Sequence, residues 1–270
     1  MDDDTIISVN SYTLCSYYTE IFFDDQMLSK ATCFFTKRNS KQYLITNWHV
    51  VSGRNADTKK CLDRNAAIPN NLRIYLPKES DNNLLVFGDY VKLDLYDEDG
   101  KPKWYEMRKK DMIVDVAIIP ITQKIDKFIL NIEEAEEPFN EKVPLEIADE
   151  VYVIGYPFGR IGGELPIWKR GSIASEPDVD IHEMPYFFID TATKSGMSGS
   201  PVIAYRRRNV VMAESEHGKF SRHITKLIGV YSGRIGAEND AVADAQLGRV
   251  WRASVIDEII ALNTPLEKRS

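Results

Sequence analysis

Short runs of β-branched and aromatic residues recur along the chain, separated by turn-forming segments. Some alternate apolar and polar positions, as residues 90–96 do, and others are almost continuously apolar, as residues 112–121 are. The runs are ATCFFTK (31–37), QYLITNWHVV (42–51), LRIYLP (72–77), YVKLDLY (90–96), MIVDVAIIPI (112–121), VYVIGYP (151–157), YFFIDT (186–191), SPVIAY (200–205) and KLIGVYS (226–232). This pattern predicts an all-β chain arranged as barrels or sandwiches.

The middle and the end of the chain depart from the strand pattern. Residues 123–150 mix acids and prolines with few β-formers, and we predict a linker at 131–149 between two β-rich halves. Near the C-terminal end, Ser254 and Asp257 have the spacing of a capping box, and isoleucines then repeat at helical intervals. This segment is predicted to form a short amphipathic helix that packs on a neighbouring barrel.

Composition and charge narrow the class of protein. The 270 residues are 43% hydrophobic, enough to bury a core in one large β-rich unit or two compact subdomains. Acidic residues outnumber basic ones, 41 to 34, which gives a formal charge of −7 and argues against a nucleic-acid partner. The basic residues are scattered apart from Arg206-Arg207-Arg208, a cluster that we expect to be solvated.

Targeting and cysteine content point to a compartment. The first residues, MDDDTIISVN, are acidic and lack a secretory signal, and no apolar stretch is long enough to cross a bilayer. The three cysteines, Cys15, Cys33 and Cys61, are far apart and show no zinc-site spacing. We therefore expect free thiols, no metal and no organic cofactor, a cytoplasmic location and no membrane partner.

The segment KSGMSGSPV (194–202) places Ser198 between glycines just before an apolar strand. A serine hydroxyl attacks a carbonyl only if a base takes its proton, a carboxylate orients that base and N–H groups stabilise the oxyanion. Of the four histidines, His49 lies at the end of an apolar run, whereas His182, His217 and His223 lie in polar segments. His49 is thus the candidate base.

Asp115 interrupts the apolar run MIVDVAIIPI. A buried carboxylate without a partner costs several kcal/mol, so Asp115 is expected to have one, and an imidazole N–H would serve. Each residue also has a plain structural interpretation: Ser198 in an ordinary Gly-Ser loop, His49 as a hydrogen-bonded core histidine and Asp115 as a turn cap. Their occurrence in the order His49, Asp115, Ser198 favours a catalytic triad.

The flanking segments extend this pattern. TNWHVV, DVAIIPI and GMSGSPV, in that order, resemble the catalytic segments of trypsin/chymotrypsin-like serine proteases, especially the bacterial HtrA-like and glutamyl-endopeptidase-like branch. VIGYPFG (153–159), KRGSIAS (169–175) and IGVYSG (228–233) are similar to further segments of these enzymes. The resemblance spans residues 31 to about 236 and is that of a stand-alone protease domain.

The resemblance implies an all-β fold of two six-stranded antiparallel β-barrels, with the active site between them. Residues 1–130 would form the N-terminal barrel, carrying His49 and Asp115. Residues 150–270 would form the C-terminal barrel, carrying Ser198, together with the C-terminal helix. The implied activity is peptide-bond hydrolysis by a serine endopeptidase through an acyl-enzyme, with a protein or peptide as substrate.

The resemblance also implies a role for each site residue. His49 would be the general base and acid, Asp115 its orienting group and Ser198 the nucleophile. The N–H groups of Gly196 and Ser198 would form the oxyanion hole, where glycine allows a backbone conformation that a side chain hinders. Ser232 would lie beside Asp115 and hydrogen-bond to it.

The pocket for the side chain before the scissile bond would be lined by Ala192, Thr193, Tyr231, Ser232 and Arg234. None of these supplies a carboxylate for a lysine or arginine substrate, and Arg234 would repel one. We therefore expect a preference for small or medium uncharged side chains. Acidic specificity is the alternative, because Thr193 matches one of the residues with which glutamyl endopeptidases read an acid and Arg234 could supply the charge.

Two segments depart from the family pattern. Met197 stands where animal digestive proteases have the aspartate that pairs with a newly cleaved N-terminus, so no activation of that type is expected. Residues 206–225 form a polar stretch after the nucleophile strand, and we predict a long loop there whose function the sequence does not indicate.

Two other functions are compatible with parts of the sequence. An α/β-hydrolase would need glycine two places after the nucleophile, where this chain has Ser200, and it would need βαβ alternation. A protease-fold module that binds peptides with little or no turnover would keep the same triad, and a regulatory protein partner remains open for either case.

Overall fold

The computed structural model describes residues 9–80, 84–135, 144–192, 194–209, 221–234 and 247–264, with side chains except at 206–209, 221–224 and 234. The strands of the N-terminal half are β1 (Ser16–Phe23), β2 (Gln26–Arg38), β3 (Lys41–Thr46), β4 (Asn71–Tyr75), β5 (Lys78–Glu79), β6 (Leu85–Val86), β7 (Tyr90–Asp94), β8 (Arg108–Lys109), β9 (Met112–Ile113) and β10 (Ala117–Pro120). Those of the C-terminal half are β11 (Glu150–Gly155), β12 (Ile167–Ile173), β13 (Tyr186–Asp190), β14 (Pro201–Asn209), β15 (Ser221–Arg234) and β16 (Leu247–Arg252). A 3-10 helix covers Ser11–Cys15, and the α-helices are α1 (Trp48–Ser52), α2 (Ile132–Ala135) and α3 (Ser254–Asn263).

The N-terminal half is a curled six-stranded antiparallel sheet. Its strand order is β10-β3-β2-β1-β4-β7. β1, β2 and β3 pair consecutively, whereas β4 pairs with β1 and β10 pairs with β3 across longer stretches of sequence. Its concave side is filled by apolar side chains that alternate with outward positions, among them Phe35, Leu44 and Leu72, which are fully buried. The sheet holds together because these side chains share one core.

The C-terminal half is a closed six-stranded barrel in the order β11-β12-β13-β16-β15-β14. Valines and isoleucines of alternate positions fill it, together with Phe187, Met197 and Tyr231. The prediction of an all-β, chymotrypsin-like double barrel is confirmed, with one half closed and the other a curled sheet.

The C-terminal helix α3 ties the two halves together. Val255, Ile256 and Ile259 are fully buried in a cluster that also contains Phe34 of the N-terminal sheet and Trp251 of the barrel. The helix was correctly predicted, but the capping box was wrong. Ala253 is the N-cap residue without a side-chain cap, and Asp257 instead accepts a hydrogen bond from Arg38 Nε at 2.6 Å.

Two further local predictions need correction. The run QYLITNWHVV is strand only to Thr46, after which residues 48–52 form a single helical turn. The predicted loop at 206–225 is partly strand, because β14 continues to Asn209 and β15 begins at Ser221, with Arg206 opposite Ile224. Residues 210–220, including His217, lie outside the described residues, as does the side chain of His223.

Two strands that hold the architecture together were missed in the sequence. β1 (SYYTEIFF) pairs with both β2 and β4, and β16 (LGRVWR) closes the barrel between β13 and β15. Glycine and arginine in β16 mask its strand character. In the described part of the chain, no helix is long and apolar enough to span a membrane.

Candidate active site

His49 and Asp115, two members of the predicted triad, contact each other directly. His49 Nδ1 lies 2.7 Å from Asp115 Oδ2, and the backbone N–H of His49 donates to Asp115 Oδ1 at 2.8 Å. The carboxylate therefore holds both the ring and the backbone of the same residue. With Asp115 ionised, Nδ1 carries the proton, which leaves Nε2 free to accept one.

Asp115 is buried and has further partners. The residue is 3% exposed. It lies in the short break between β9 and β10, where it interrupts the apolar run. Ser232 Oγ on β15 donates to Asp115 Oδ2 at 2.5 Å, and Asn47 Nδ2 donates to the backbone carbonyl of Asp115 at 2.7 Å. The expectation that a carboxylate here needs partners is thus met by His49 and Ser232.

The single turn of α1 aims the His49 ring. β3 ends at Thr46, the helix covers Trp48–Ser52, and Gly53 ends it with φ +65°, its N–H bonded to the carbonyl of His49 at 3.1 Å. A side chain at position 53 would also meet Pro69, because a Cβ built there lies 2.4 Å from Pro69 Cδ. Glycine therefore satisfies both the left-handed conformation and the close approach.

The environment of His49 shifts its protonation. Burial by itself lowers the pKa of the His49 ring, but the negative charge of Asp115 and its hydrogen bond to Nδ1 outweigh this effect. The net result is a pKa raised above the ordinary histidine value. The base is held near the range in which it can both accept and return a proton.

The loop that carries Ser198 is shaped by two glycines. Gly196 has φ +97° and Gly199 has φ +83°. A Cβ at Gly196 would lie 2.3 Å from the Tyr156 carbonyl oxygen, and one at Gly199 would lie 2.2 Å from the carbonyl oxygen of Thr32. No other residue fits either position without moving the backbone of a neighbouring strand.

Thr32 of β2 fastens the Ser198 loop to the N-terminal sheet, a contact that the sequence did not suggest. Its N–H donates to the carbonyl of Ser198 at 2.8 Å, and its Oγ1 donates to the carbonyl of Gly196 at 2.8 Å. The same Oγ1 accepts from the N–H of Tyr156 at 3.2 Å. A threonine inside a β-rich run looks like an ordinary strand former, so only the fold exposes this role.

The peptide before Gly196 is held in one orientation. The carbonyl of Ser195 accepts a hydrogen bond from the N–H of Phe158 at 2.7 Å, which directs the N–H of Gly196 the other way. Among the described residues, neither the N–H of Gly196 nor that of Ser198 has a hydrogen-bond acceptor. Both donors are thus available to an oxyanion.

A cavity of about 670 Å³ contains the reactive groups. His49 and Ser198 both line it, together with Ser195 and Gly196. Most of its remaining wall comes from the β1–β2 hairpin and from residues 62–69 of the N-terminal half. The volume is that of a site for a small molecule or a few residues of a peptide.

Of the residues predicted to form the specificity pocket, Ala192, Tyr231 and Ser232 are described with side chains, and none of the three lines this cavity. Tyr231 is 1% exposed in the barrel core with its ring against Gly248, while Ser232 faces Asp115. Ala192 is exposed and lines a separate shallow depression with Asp190 and Arg170. Thr193 and the side chain of Arg234 lie outside the described residues.

The structure offers no grouped metal ligands in the ranges that it describes, since no three His, Cys, Asp or Glu side chains cluster there. His182 lies at φ +50° in a turn and has no part in the cavity. The cavity brings the imidazole of His49 and the hydroxyl of Ser198 to one site.

Comparisons with known proteins identify a family and several solved structures to which this chain is similar. The model of the family described as trypsin-like peptidase domain matches residues 31–211. Among solved structures, the inactive form of the Rv3671c protease from M. tuberculosis H37Rv is 17% identical, covers 94% of this chain and 91% of its own, and has a TM-score of 0.42. A serine endoprotease from Yersinia pestis is 12% identical, covers 95% of this chain and 67% of its own, and has a TM-score of 0.47. No curated protein matches the chain.

Proposed function

Because the chain belongs to the family of trypsin-like peptidase domains and is a trypsin-like serine protease, we propose that it cleaves peptide bonds through His49, Asp115 and Ser198. The observation that carries this proposal is the contact of His49 Nδ1 with Asp115 Oδ2 at 2.7 Å beside a cavity that His49 shares with Ser198. Its substrates are proteins or peptides.

The first half of the reaction is acylation. His49 Nε2 takes the proton of the Ser198 hydroxyl as Oγ forms a bond to the substrate carbonyl carbon. The carbonyl oxygen becomes an oxyanion that accepts hydrogen bonds from the N–H groups of Gly196 and Ser198. His49 then gives its proton to the leaving nitrogen as the C–N bond breaks, and the acyl-enzyme remains.

The second half repeats these steps with water. His49 takes a proton from the water molecule, whose oxygen attacks the acyl carbon, and returns that proton to Ser198 Oγ as the ester bond breaks. Asp115 does not change its protonation state. It keeps the Nδ1–H tautomer of His49 and stabilises the imidazolium that forms twice in each cycle.

Of the residues predicted to read the side chain before the scissile bond, Ala192 is exposed, whereas Tyr231 is buried in the barrel core and Ser232 is bonded to Asp115. The exposed methyl group of Ala192 brings no charge, which supports the expected preference for small or medium uncharged side chains over lysine or arginine. A cytoplasmic location is supported by Cys15, Cys33 and Cys61, none of which forms a disulfide.

A fluorophosphonate probe and a peptide library test the proposal together. The wild-type chain should be labelled at one serine and should cleave peptides, whereas Ser198→Ala should lose both properties. His49→Ala should lose cleavage and slow labelling, because the hydroxyl then lacks its base. Ser80→Ala is the matched control, because this serine lies outside the cavity and its Oγ accepts the N–H of Leu84.

Removal of one triad member should lower turnover by about four to six orders of magnitude, because the members act as a unit. Each variant should keep its circular-dichroism spectrum. Ser198→Ala should also keep its melting temperature, whereas His49→Ala should melt lower because the buried Asp115 carboxylate loses a partner. Labelling of Ser198→Ala at the wild-type rate would overturn the assignment of the nucleophile. An intact, labelled protein that cleaves nothing in the library would favour the peptide-binding module.

A further inference from the structure

The walls of the reactive cavity are asymmetric. In the described part of the chain, Ser195, Gly196 and Ser198 are its only lining residues from the C-terminal half. Every other lining residue belongs to the N-terminal half, on β1, β2, α1 and the segment 53–69 that follows α1. A peptide bound across Ser198 therefore meets a formed cavity on one side of the scissile bond.

The chemistry of the proposed mechanism indicates which side this is. His49 must protonate the leaving nitrogen, so the part of the substrate that follows the scissile bond has to lie against His49. The residues assigned by resemblance to the acyl side, Ala192, Tyr231 and Ser232, do not line the cavity. The cavity is therefore on the leaving-group side.

The lining on this side is largely apolar. Its apolar side chains belong to Ile21, Leu28, Val50, Leu62, Ala67 and Pro69. Leu62 is 51% exposed, and a leucine with half of its surface open at the edge of a cavity gains by covering it with another apolar group. The charged residues of the lining are Lys30, Asp63 and Arg64.

The charged side chains of the lining give the cavity a net positive character, because Lys30 and Arg64 outweigh the single negative charge of Asp63. Asp63 Oδ1 accepts the N–H groups of Asn65 at 2.8 Å and of Ala67 at 3.2 Å, which holds this carboxylate against its own loop. Lys30 and Arg64 then make a cationic side chain unfavourable in the cavity, in addition to the cost of placing it among apolar groups. An uncharged apolar side chain meets neither penalty.

Leu62 is also held in a defined position relative to the base. The N–H of Gly53 donates to the carbonyl of His49 at 3.1 Å, and the N–H of Leu62 donates to the carbonyl of Gly53 at 2.9 Å. An isolated bridge pairs Arg54 with Cys61 just beyond these contacts. The backbone of Leu62 is thus anchored to the turn that carries His49, the group that protonates the leaving nitrogen in the proposed mechanism.

We propose that this cavity selects an apolar side chain on the residue that follows the scissile bond, with Leu62 as the specificity-determining residue. The inference rests on the proposed function, since it needs an acyl-enzyme at Ser198. It assigns a second determinant of substrate choice, separate from the pocket that reads the residue before the bond.

Acyl transfer to added amines measures this selectivity directly. An activated p-nitrophenyl ester acylates Ser198, and the released nitrophenol reports that step. The acyl-enzyme then partitions between water and an amine that binds on the leaving-group side, in the reverse of amide cleavage. The amines compared are leucinamide, which has an apolar side chain, glycinamide, which has none, and lysinamide, which has a cationic one. Chromatography gives the ratio of amide to acid product for each amine.

We expect leucinamide to capture the acyl group at least about tenfold better than glycinamide or lysinamide, as burial of a leucine side chain allows. Leu62→Ala should reduce this preference several-fold. Leu84→Ala, which removes an equally large side chain that is 65% exposed and lies outside the cavity, should leave the preference unchanged.

The possible failures are distinguishable. A nitrophenol burst with equal capture of leucinamide and glycinamide by the wild-type chain overturns the inference while the proposed function stands. Absence of the burst overturns the proposed function and the inference with it. An unchanged preference in Leu62→Ala, with the burst intact, removes Leu62 as the determinant.

Discussion

Ser232 Oγ donates to the same oxygen of Asp115 that His49 Nδ1 contacts, at 2.5 Å and 2.7 Å respectively. Asp115 comes from the N-terminal sheet and Ser232 from β15 of the C-terminal barrel. The two halves of the molecule therefore meet at the carboxylate that orients the proposed base. The position of the His49 ring depends on both halves being folded.

Removing the Ser232 hydroxyl should lower kcat/KM by about tenfold, because a hydrogen bond to a charged group is lost. Ser232→Thr keeps the hydroxyl and should retain most of the activity, which separates this effect from a change of packing. Steady-state kinetics on a single peptide measures both variants. Equal losses in the alanine and threonine variants would mean that the contact with Asp115 is not the cause.

Asp115→Asn should lower turnover far more, by roughly 10⁴-fold, because an amide group cannot accept every hydrogen bond that the carboxylate accepts and favours the wrong tautomer of His49. The fold should survive, since the side-chain volume is nearly unchanged. Thermal unfolding and labelling by the fluorophosphonate probe monitor the two effects. Near-normal turnover in this variant would refute the orienting role of Asp115.

Activity should rise with pH through the pKa of His49, because only the neutral ring can accept the proton of Ser198. That pKa is raised, so the midpoint of the rise in kcat/KM should lie above the ordinary histidine value of about 6.5. The charged His49–Asp115 pair stabilises the fold below the pKa of the unfolded chain, and this contribution disappears as pH rises through the folded pKa.

The pH profile and an NMR titration of the His49 ring in Ser198→Ala should give the same midpoint. In Ser198→Ala, Asp115→Asn the NMR midpoint should move to lower pH, because the negative charge that raises the pKa is gone. If the wild-type protein gave a midpoint below the ordinary histidine value, the assignment of His49 as the titrating base would be contradicted.

Gly196→Ala should lower kcat by roughly 100- to 1,000-fold, because the Cβ would collide with the carbonyl of Tyr156 and displace an oxyanion donor. Gly163→Ala is the matched control. Gly163 also has a positive φ, at +90°, but a Cβ there meets nothing within 4 Å. The control should be destabilised by about 1–2 kcal/mol through backbone strain alone and should keep its kcat. Similar kcat values in both variants would argue against the oxyanion role.

Acetylation of the N-terminal amine should leave kcat/KM unchanged. Met197 is fully buried among apolar side chains of the barrel and offers no carboxylate with which a new N-terminus could pair. Activity should also be present without proteolytic processing, as mass spectrometry of the active sample can check. Activity that appears only after cleavage near the N-terminus would contradict this expectation.

Mild reductant should change neither the melting temperature nor the activity, because none of the three cysteines forms a disulfide. Burial raises the pKa of the Cys33 thiol to about 12, so Cys33 should resist alkylation in the folded protein. Cys61 is partly exposed and should be alkylated first by iodoacetamide. Peptide mapping identifies the labelled residue, and early labelling of Cys33 would contradict the buried assignment.

The sequence by itself determined the fold class and the residues that the proposed mechanism uses. Repeated β-forming runs indicate an all-β chain because strand propensity and alternation are local properties. Asp115 could be singled out because a charge within an apolar run must find a partner, and the tertiary contact with His49 supplies one. Capping at Ser254 failed because Asp257 bonds Arg38 instead. Strand structure through Val51 failed because Asn47 and the N–H of His49 bond Asp115 after the strand ends at Thr46.

Only the tertiary structure decided how distant segments shape the site. Thr32 holds the Ser198 loop from 166 residues away in sequence, and its side chain gives no local sign of that role. The apolar wall around Leu62 likewise forms only when the segment after α1 folds back over the β1–β2 hairpin. Such contacts join residues that are far apart in sequence, and the residues next to them in the chain give no sign of the contact. The long loops between them close only as the whole core packs.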